Sequence, residues 1–120
     1  MILVVEDPRE YGKLLESALA GLGMPVVAAG GTAEALRIAL ERKPRLVVAD
    51  AALPDASGFE LCRVFRQRPE LASVPILIVC GVHCPEEAEL RAAGYAPAVV
   101  LPKPFRVADL HAAVTRLYPK

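Results

Sequence analysis

No class of residue that would mark a membrane, nucleic-acid or secreted protein is in excess here. The fourteen Lys and Arg are cancelled by fourteen Asp and Glu, and the missing basic surplus speaks against a nucleic-acid surface. Apolar residues make up 54% of the chain, yet no apolar run approaches the roughly 20 residues that a membrane span needs. Met1-Ile2-Leu3-Val4-Val5 leads straight into Glu6-Asp7, with neither a basic leader nor a cleavage site. The expected location is therefore the cytoplasm. Cysteine is sparse: Cys62, Cys80 and Cys84 are odd in number and lack framework spacing. That pattern predicts reduced thiols, mostly buried as small hydrophobes. Cys80-Gly-Val-His83-Cys84 offers at most three soft ligands in five residues and no second half elsewhere, too little for a zinc site. Neither a Walker sequence nor a dinucleotide glycine fingerprint occurs, so a nucleotide is not held in the familiar loops.

What is present reads as one domain spanning residues 1–120, long enough to bury roughly two thirds of its extended surface. Five short apolar runs, Ile2–Val5, Val26–Ala29, Leu46–Ala49, Ile76–Val79 and Ala98–Leu101, are rich in β-branched side chains and lack polar alternation. Strands of a parallel sheet, buried on both faces, look like this. Between them run amphipathic stretches with helical period. Tyr11, Leu14, Leu15, Ala18, Leu19 and Leu22 share one stripe; Leu36 and Leu40, with Ala33 and Ala39, mark a second. Phe59, Cys62 and Phe65 face inward on a third, from about Phe59 to Arg66. Pro85 opens a fourth that ends before Gly94, and Val107, Leu110, Val114 and Leu117 form the last. Strand and helix alternating five times predict an α/β fold with right-handed crossovers and helices on both sheet faces.

Open sheets of this kind bind ligands beyond the carboxyl ends of their strands, at the switch point. Glu6 and Asp7 follow the first strand, Asp50 ends the third, Cys80 follows the fourth and Lys103 the fifth. A strand order 2-1-3-4-5 would bring the three carboxylates into one crevice with the lysine opposite. Clustered carboxylates repel one another, and a hard dication such as Mg²⁺ relieves that repulsion. A carboxylate beside such a metal can serve as nucleophile and become an aspartyl-phosphate. Each residue also has a plainer use. Asp7 before Pro8 suits a helix N-cap; Asp50 could cap the loop after its strand, though Asp55 or Ser57 caps the next helix better; Lys103 could be an ordinary exposed lysine, though the chain has only four and this one lies between two prolines.

Ile2-Leu-Val-Val-Glu-Asp7, Leu46-Val-Val-Ala-Asp50, Leu53-Pro54-Asp55-Ala-Ser-Gly58-Phe-Glu-Leu61 and Lys103-Pro104-Phe105 resemble the receiver domains of bacterial response regulators. The resemblance covers essentially the whole chain. It implies a flavodoxin-like three-layer sandwich with a five-stranded parallel sheet of order 2-1-3-4-5 and five helices. It further implies that Asp50 accepts a phosphoryl group from a histidine kinase or phosphotransfer protein. Asp7 would bind Mg²⁺ directly, Glu6 through water, and Asp50 and the Ala52 backbone carbonyl would complete the protein's share. Lys103 would pair with a phosphoryl oxygen, beside a cis bond to Pro104. The domain signals and is not an enzyme with turnover, although it assists its own phosphorylation and dephosphorylation.

Two positions depart from that pattern. Cys80 stands where receivers carry Thr or Ser, and a thiol is only a weak donor. Val100 stands where they carry an aromatic ring that swings inward on activation. Gly94 to Lys103 also runs two residues longer than usual, which reshapes the loop before the fifth strand. An effector domain or protein would meet the face of the fourth helix, fifth strand and fifth helix. Two readings stay open: a working phosphoacceptor, or a degenerate receiver that docks proteins with its output uncoupled from phosphate. An unrelated enzyme on a similar sheet finds no further catalytic group in the chain.

Overall fold

Strands without polar alternation need cover on both faces, and the chain supplies it by following every strand with helical segments. The structure, a computed structural model, describes residues 1–11, 14–81 and 84–119, with backbone only for Glu10 and Tyr11. The strands are β1 (Ile2–Val5), β2 (Val26–Ala29), β3 (Leu46–Asp50), β4 (Ile76–Cys80) and β5 (Val99–Pro102). All pair in parallel in the order β2-β1-β3-β4-β5. The helical segments are α1 (Pro8–Tyr11), α2 (Leu14–Ala20), α3 (Thr32–Arg42), α4 (Gly58–Gln67), α5 (Pro85–Ala93) and α6 (Val107–Leu117). The expected sandwich, strand order and switch point between β1 and β3 are all present.

Alternate side chains of each strand feed one of two cores. Leu3, Val5, Val47, Ala49, Ile76 and Ile78 meet Ala35, Ile38 and Ala39 of α3, Phe59, Cys62 and Phe65 of α4, and Leu90 of α5. On the opposite face Ile2, Val4, Leu46, Val48, Leu77 and Val79 meet Leu15 and Leu19 of α2 and Leu110 and Val114 of α6. This two-sided burial is why the central strands carry no polar residue before their ends.

The boundaries differ from the apolar runs in an instructive way. β3 and β4 each extend one residue further, to Asp50 and Cys80, and β5 is displaced by one. Apolarity marks burial, whereas the ladder continues wherever amides find carbonyls, as in Ala51 N to Val79 O at 2.9 Å. Leu22 falls after α2 yet stays partly buried against the core. The expected inward place of the Tyr11 side chain lies outside the described residues, and so does His83.

The three-cysteine expectation needs correction. Cys62 is a buried free thiol, but Cys80 and Cys84 form a disulfide. Counting cysteines missed it because the bond is local: a strand end and the next helix N-cap place the two Cα atoms 6.6 Å apart, inside the range a disulfide spans.

Candidate functional site

At the carboxyl edge of the sheet the chain turns from apolar to charged within one residue on three strands. Glu6 and Asp7 follow β1, Asp50 closes β3, and Lys103 follows β5. All three acids are buried, with Asp50 6% exposed. The Lys103 ammonium donates to Asp50 Oδ2 at 2.8 Å, and the Ala52 amide donates to Oδ1 at 2.9 Å. Asp50 is thus held from two sides, by a charge across the crevice and by its own loop. The Lys103-Pro104 bond is cis.

The loop after Asp50 is pinned tightly. The Gly58 amide donates to Ala51 O at 2.9 Å, and Ala52 bridges to Ser57. A Cβ at Gly58 would lie 2.5 Å from the Asp50 carbonyl oxygen, so only glycine lets α4 begin this close to the acceptor strand. Ser57 caps α4 by accepting the Glu60 amide at 3.1 Å. Asp55, expected at that same helix, serves another: its carboxylate accepts the amides of Thr32 and Ala33 at 2.9 and 3.1 Å, at the start of α3. Gly31 precedes α3 without a side-chain cap, and a Cβ there would stand 2.9 Å from Asp55 Oδ1. The donated amides hold the Asp55 carboxyl below its ordinary range.

Glu6, Asp50 and Lys103 line one cavity of about 270 Å³, whose other walls include Leu14, Val79 and Phe105. Asp7 turns elsewhere. Its Oδ1 accepts both the amide and Nε of Arg9 at 3.0 Å, and its Oδ2 accepts a guanidinium nitrogen at 3.2 Å. The Arg9 side chain holds the Asp7 carboxyl below its ordinary value. Glu6 accepts the amides of Leu15 and Glu16, each at 3.0 Å. Glu6 thereby ties the end of β1 to α2. The expectation of three carboxylates meeting in one cluster is therefore not what the side chains show. Among the described residues, no group of three or more His, Cys, Asp or Glu stands close enough to hold a metal ion.

The donor set nevertheless suits Mg²⁺. Every candidate is a hard oxygen, and each carboxylate oxygen has two lone-pair sites. Asp50 Oδ1 accepts one backbone amide, which leaves it acceptor capacity. If the ion binds as the resemblance implies, Asp7 and Asp50, with Glu6 behind water and the Ala52 carbonyl, would hold it.

On the neighbouring strand, Cys80 is 4% exposed at the end of β4 and bonded to Cys84, the half-buried N-cap of α5. A bridged sulfur has no S–H, so the weak donor expected at Cys80 is absent. Its carbonyl accepts the Lys103 amide at 2.7 Å. Val100, in register with Ile78, is half-buried in the same core layer as Cys80. The approach to β5 is anchored on α4. Cys62 Sγ donates to Tyr95 O at 3.3 Å, Arg66 Nε to Ala96 O at 3.4 Å, and the Arg63 guanidinium lies 5.9 Å from the Tyr95 ring centre. Arg9 drew no notice in the sequence, while Asp55 and Cys84 take other roles than the sequence suggested, Asp55 at α3 and Cys84 in the bridge to Cys80. The Asp-Pro-Arg run and the Cys-x-x-x-Cys-Pro run were the available signals.

Comparison with known proteins agrees with this geometry. A sequence model of the response regulator receiver domain matches residues 2–115. The chain is 35% identical over 111 residues to the KDP operon transcriptional regulatory protein KdpE of Escherichia coli, covering 92% of this chain and 48% of that protein. It is 39% identical over 117 residues to the phosphate regulon transcriptional regulatory protein PhoB of Rhizobium meliloti, covering 94% and 49%. The chain thus spans about half the length of these relatives. Among solved structures, a putative response regulator from Chloroflexus aurantiacus superposes with a TM-score of 0.83 at 27% identity, covering 99% of this chain and 98% of that one. The signal receiver domain of a histidine kinase from Syntrophus aciditrophicus gives 0.84 at 26%, covering 98% and 88%. A β2-β1-β3-β4-β5 sheet with a buried aspartate at the end of β3, read beside these matches, makes the chain a member of the response regulator receiver domains of two-component signalling.

Proposed function

We propose that residues 1–120 form one receiver domain in which Asp50 accepts a phosphoryl group, with Lys103 and Mg²⁺ assisting. The observation that carries this reading is the 2.8 Å contact between Lys103 Nζ and Asp50 Oδ2 beside an open cavity. Asp50 acts as nucleophile: its oxygen attacks phosphorus, the bond to the donor's leaving atom breaks, and an acyl phosphate remains. Lys103 then moves its charge from the carboxylate to a phosphoryl oxygen, so the site stays neutralised as negative charge arrives. The amide of Ala52 holds Asp50 Oδ1 and with it the rotamer of the acceptor. The apolar wall of Leu14, Val79 and Phe105 limits water beside the acyl phosphate. Bound Mg²⁺ supplies further neutralisation of the transferring oxygens. No described helix is long and apolar enough to cross a membrane.

The donor in this reading is the phosphohistidine of a histidine kinase or phosphotransfer protein. Output passes through the face of α5, β5 and α6 to an effector domain or protein. The test is incubation with Mg²⁺ and acetyl phosphate, followed by intact mass. One phosphoryl group per chain is expected, and none in Asp50→Asn. Absence of any gain in the wild type, with Mg²⁺ still bound, would overturn the reading.

A second reading has its own support. The bridged Cys80 cannot donate to a phosphoryl group, and the half-buried Val100 has no ring to swing. A receiver so built docks its partners in one shape irrespective of phosphate. Amide chemical shifts that stay unchanged on α5 and β5 when beryllofluoride binds Asp50 would favour it.

A further inference from the structure

The disulfide at the edge of β4 has no part in the phosphoryl chemistry, yet it is wired into the site. Cys80 is the last residue of β4 and Cys84 the N-cap of α5, four positions on. Their bridge ties the sheet to the first turn of that helix. At its sheet end, the Cys80 carbonyl holds the Lys103 amide at 2.7 Å, and the Lys103 side chain reaches Asp50 at 2.8 Å. The two sulfurs are unequally placed: Cys80 is buried, whereas Cys84 is half-buried at the surface. Cys62 provides an internal contrast, since it is buried and unpaired and its burial pushes the thiol upward, the condition of an inert thiol.

We propose that Cys80 and Cys84 are a reversible dithiol–disulfide couple that tunes the receiver through exchange with a low-molecular-weight thiol. A thiolate RS⁻ attacks Cys84 Sγ, the bond between the two sulfurs breaks, and Cys80 leaves as thiolate and takes up a proton. A second thiolate attacks the mixed disulfide, RSSR departs, and Cys84 takes up a proton. Two RSH are thereby oxidised to RSSR while the bridge is reduced to two thiols; the reverse reaction uses RSSR as oxidant. The bridged form fastens α5 to β4 and leaves position 80 without a donor. The dithiol form frees the helix start and restores a weak S–H donor at position 80. The effect on phosphate chemistry rests on the phosphoacceptor reading, whereas the couple itself does not.

The experiment equilibrates the whole chain in buffers of reduced and oxidised glutathione, traps thiols with N-ethylmaleimide, and reads intact mass, melting temperature and acyl-phosphate lifetime after acetyl phosphate. Two labels are expected together in reducing buffer and none in oxidising buffer, with Cys62 unlabelled until the protein is denatured. The melting temperature is expected to be higher by about 5 °C in the bridged form. The acyl-phosphate lifetime is expected to differ severalfold between the two forms, and Cys84→Ser should hold one lifetime in both buffers. Two labels in every buffer, or a lifetime and melting temperature indifferent to redox state, would overturn the proposal. Should Asp50 take no phosphoryl group in either buffer, the phosphoacceptor reading fails, and labelling with the melting shift alone decides the couple.

Discussion

β3 and β4 lie side by side, each five residues long and buried throughout, but they end in different chemistry. β3 delivers Asp50, whose partners are an ammonium and an amide, both of which can let go. β4 delivers Cys80, whose partner is a covalent bond to the next helix. The first strand end is built for a group that comes and goes. The second is covalently fixed to the start of α5. On the proposed reading, acceptance of a phosphoryl group turns on the Asp50 contacts, whereas the start of α5 is held by the bridge to Cys80.

That separation can be broken most sharply at the acceptor. Asp50→Asn should abolish phosphoryl uptake completely, and Lys103→Ala should slow uptake from acetyl phosphate by about 10²-fold or more, both read by intact mass over time. If Lys103→Ala left the rate unchanged, the ion pair would be structural only. Next in size is a pair of glycine substitutions. Gly58→Ala drives a Cβ to 2.5 Å from the Asp50 carbonyl, and should cost about 2–3 kcal/mol by urea denaturation. Gly81→Ala, just after β4, meets nothing within 4 Å among the described residues and should cost less than about 0.5 kcal/mol. Equal costs would erase the contrast between the two strand ends.

Smaller again is Asp55→Ala, expected to lower stability by about 1 kcal/mol, the usual worth of a helix cap. Because the native fold lowers the Asp55 pKa from 3.8, this contribution is complete above that value and is lost as the pH falls through the depressed native one. The gap between wild type and variant in urea midpoint should therefore close as pH is taken from about 5 towards about 2. The smallest effect concerns Asp7. Arg9→Ala should move the Mg²⁺ titration midpoint to lower concentration, since the guanidinium competes for both oxygens, with little change in the stability of the metal-free chain. Asp7→Ala should remove the rise in melting temperature that millimolar Mg²⁺ gives the wild type. A midpoint indifferent to Arg9 would place the ion elsewhere.

Much of this architecture is legible before any coordinates, because strands buried on two faces cannot hide among amphipathic helices. The Ile2–Val5 and Val26–Ala29 runs are strands residue for residue, and Pro85 and Gly94 bracket α5 as they do in the sequence. The approach of Lys103 to Asp50 follows from strand order alone. Other features turn on orientation, which residue type does not encode. Nothing in Glu6 or Asp7 says that one will serve the amides of α2 and the other Arg9. Nothing in Asp55 distinguishes a cap for the helix just ahead from a cap for one 22 residues behind. The Cys80–Cys84 bond escaped because cysteine counting looks for frameworks, while a strand end meeting a helix start needs only two residues.

The charge that Asp55 lends to α3 has a bearing on how this region comes together. α3 starts at Thr32 after a glycine that offers no side-chain cap, so its own stretch of chain supplies no side-chain acceptor for its first turn. The missing acceptor arrives from a loop that exists only once β3 has joined β1. Docking of Asp55 therefore couples the start of α3 to the loop after β3, a long-range link that carries a loop-closure cost. Peptides covering 30–43 alone should be frayed at their amino end, while the same residues are firm in the assembled domain.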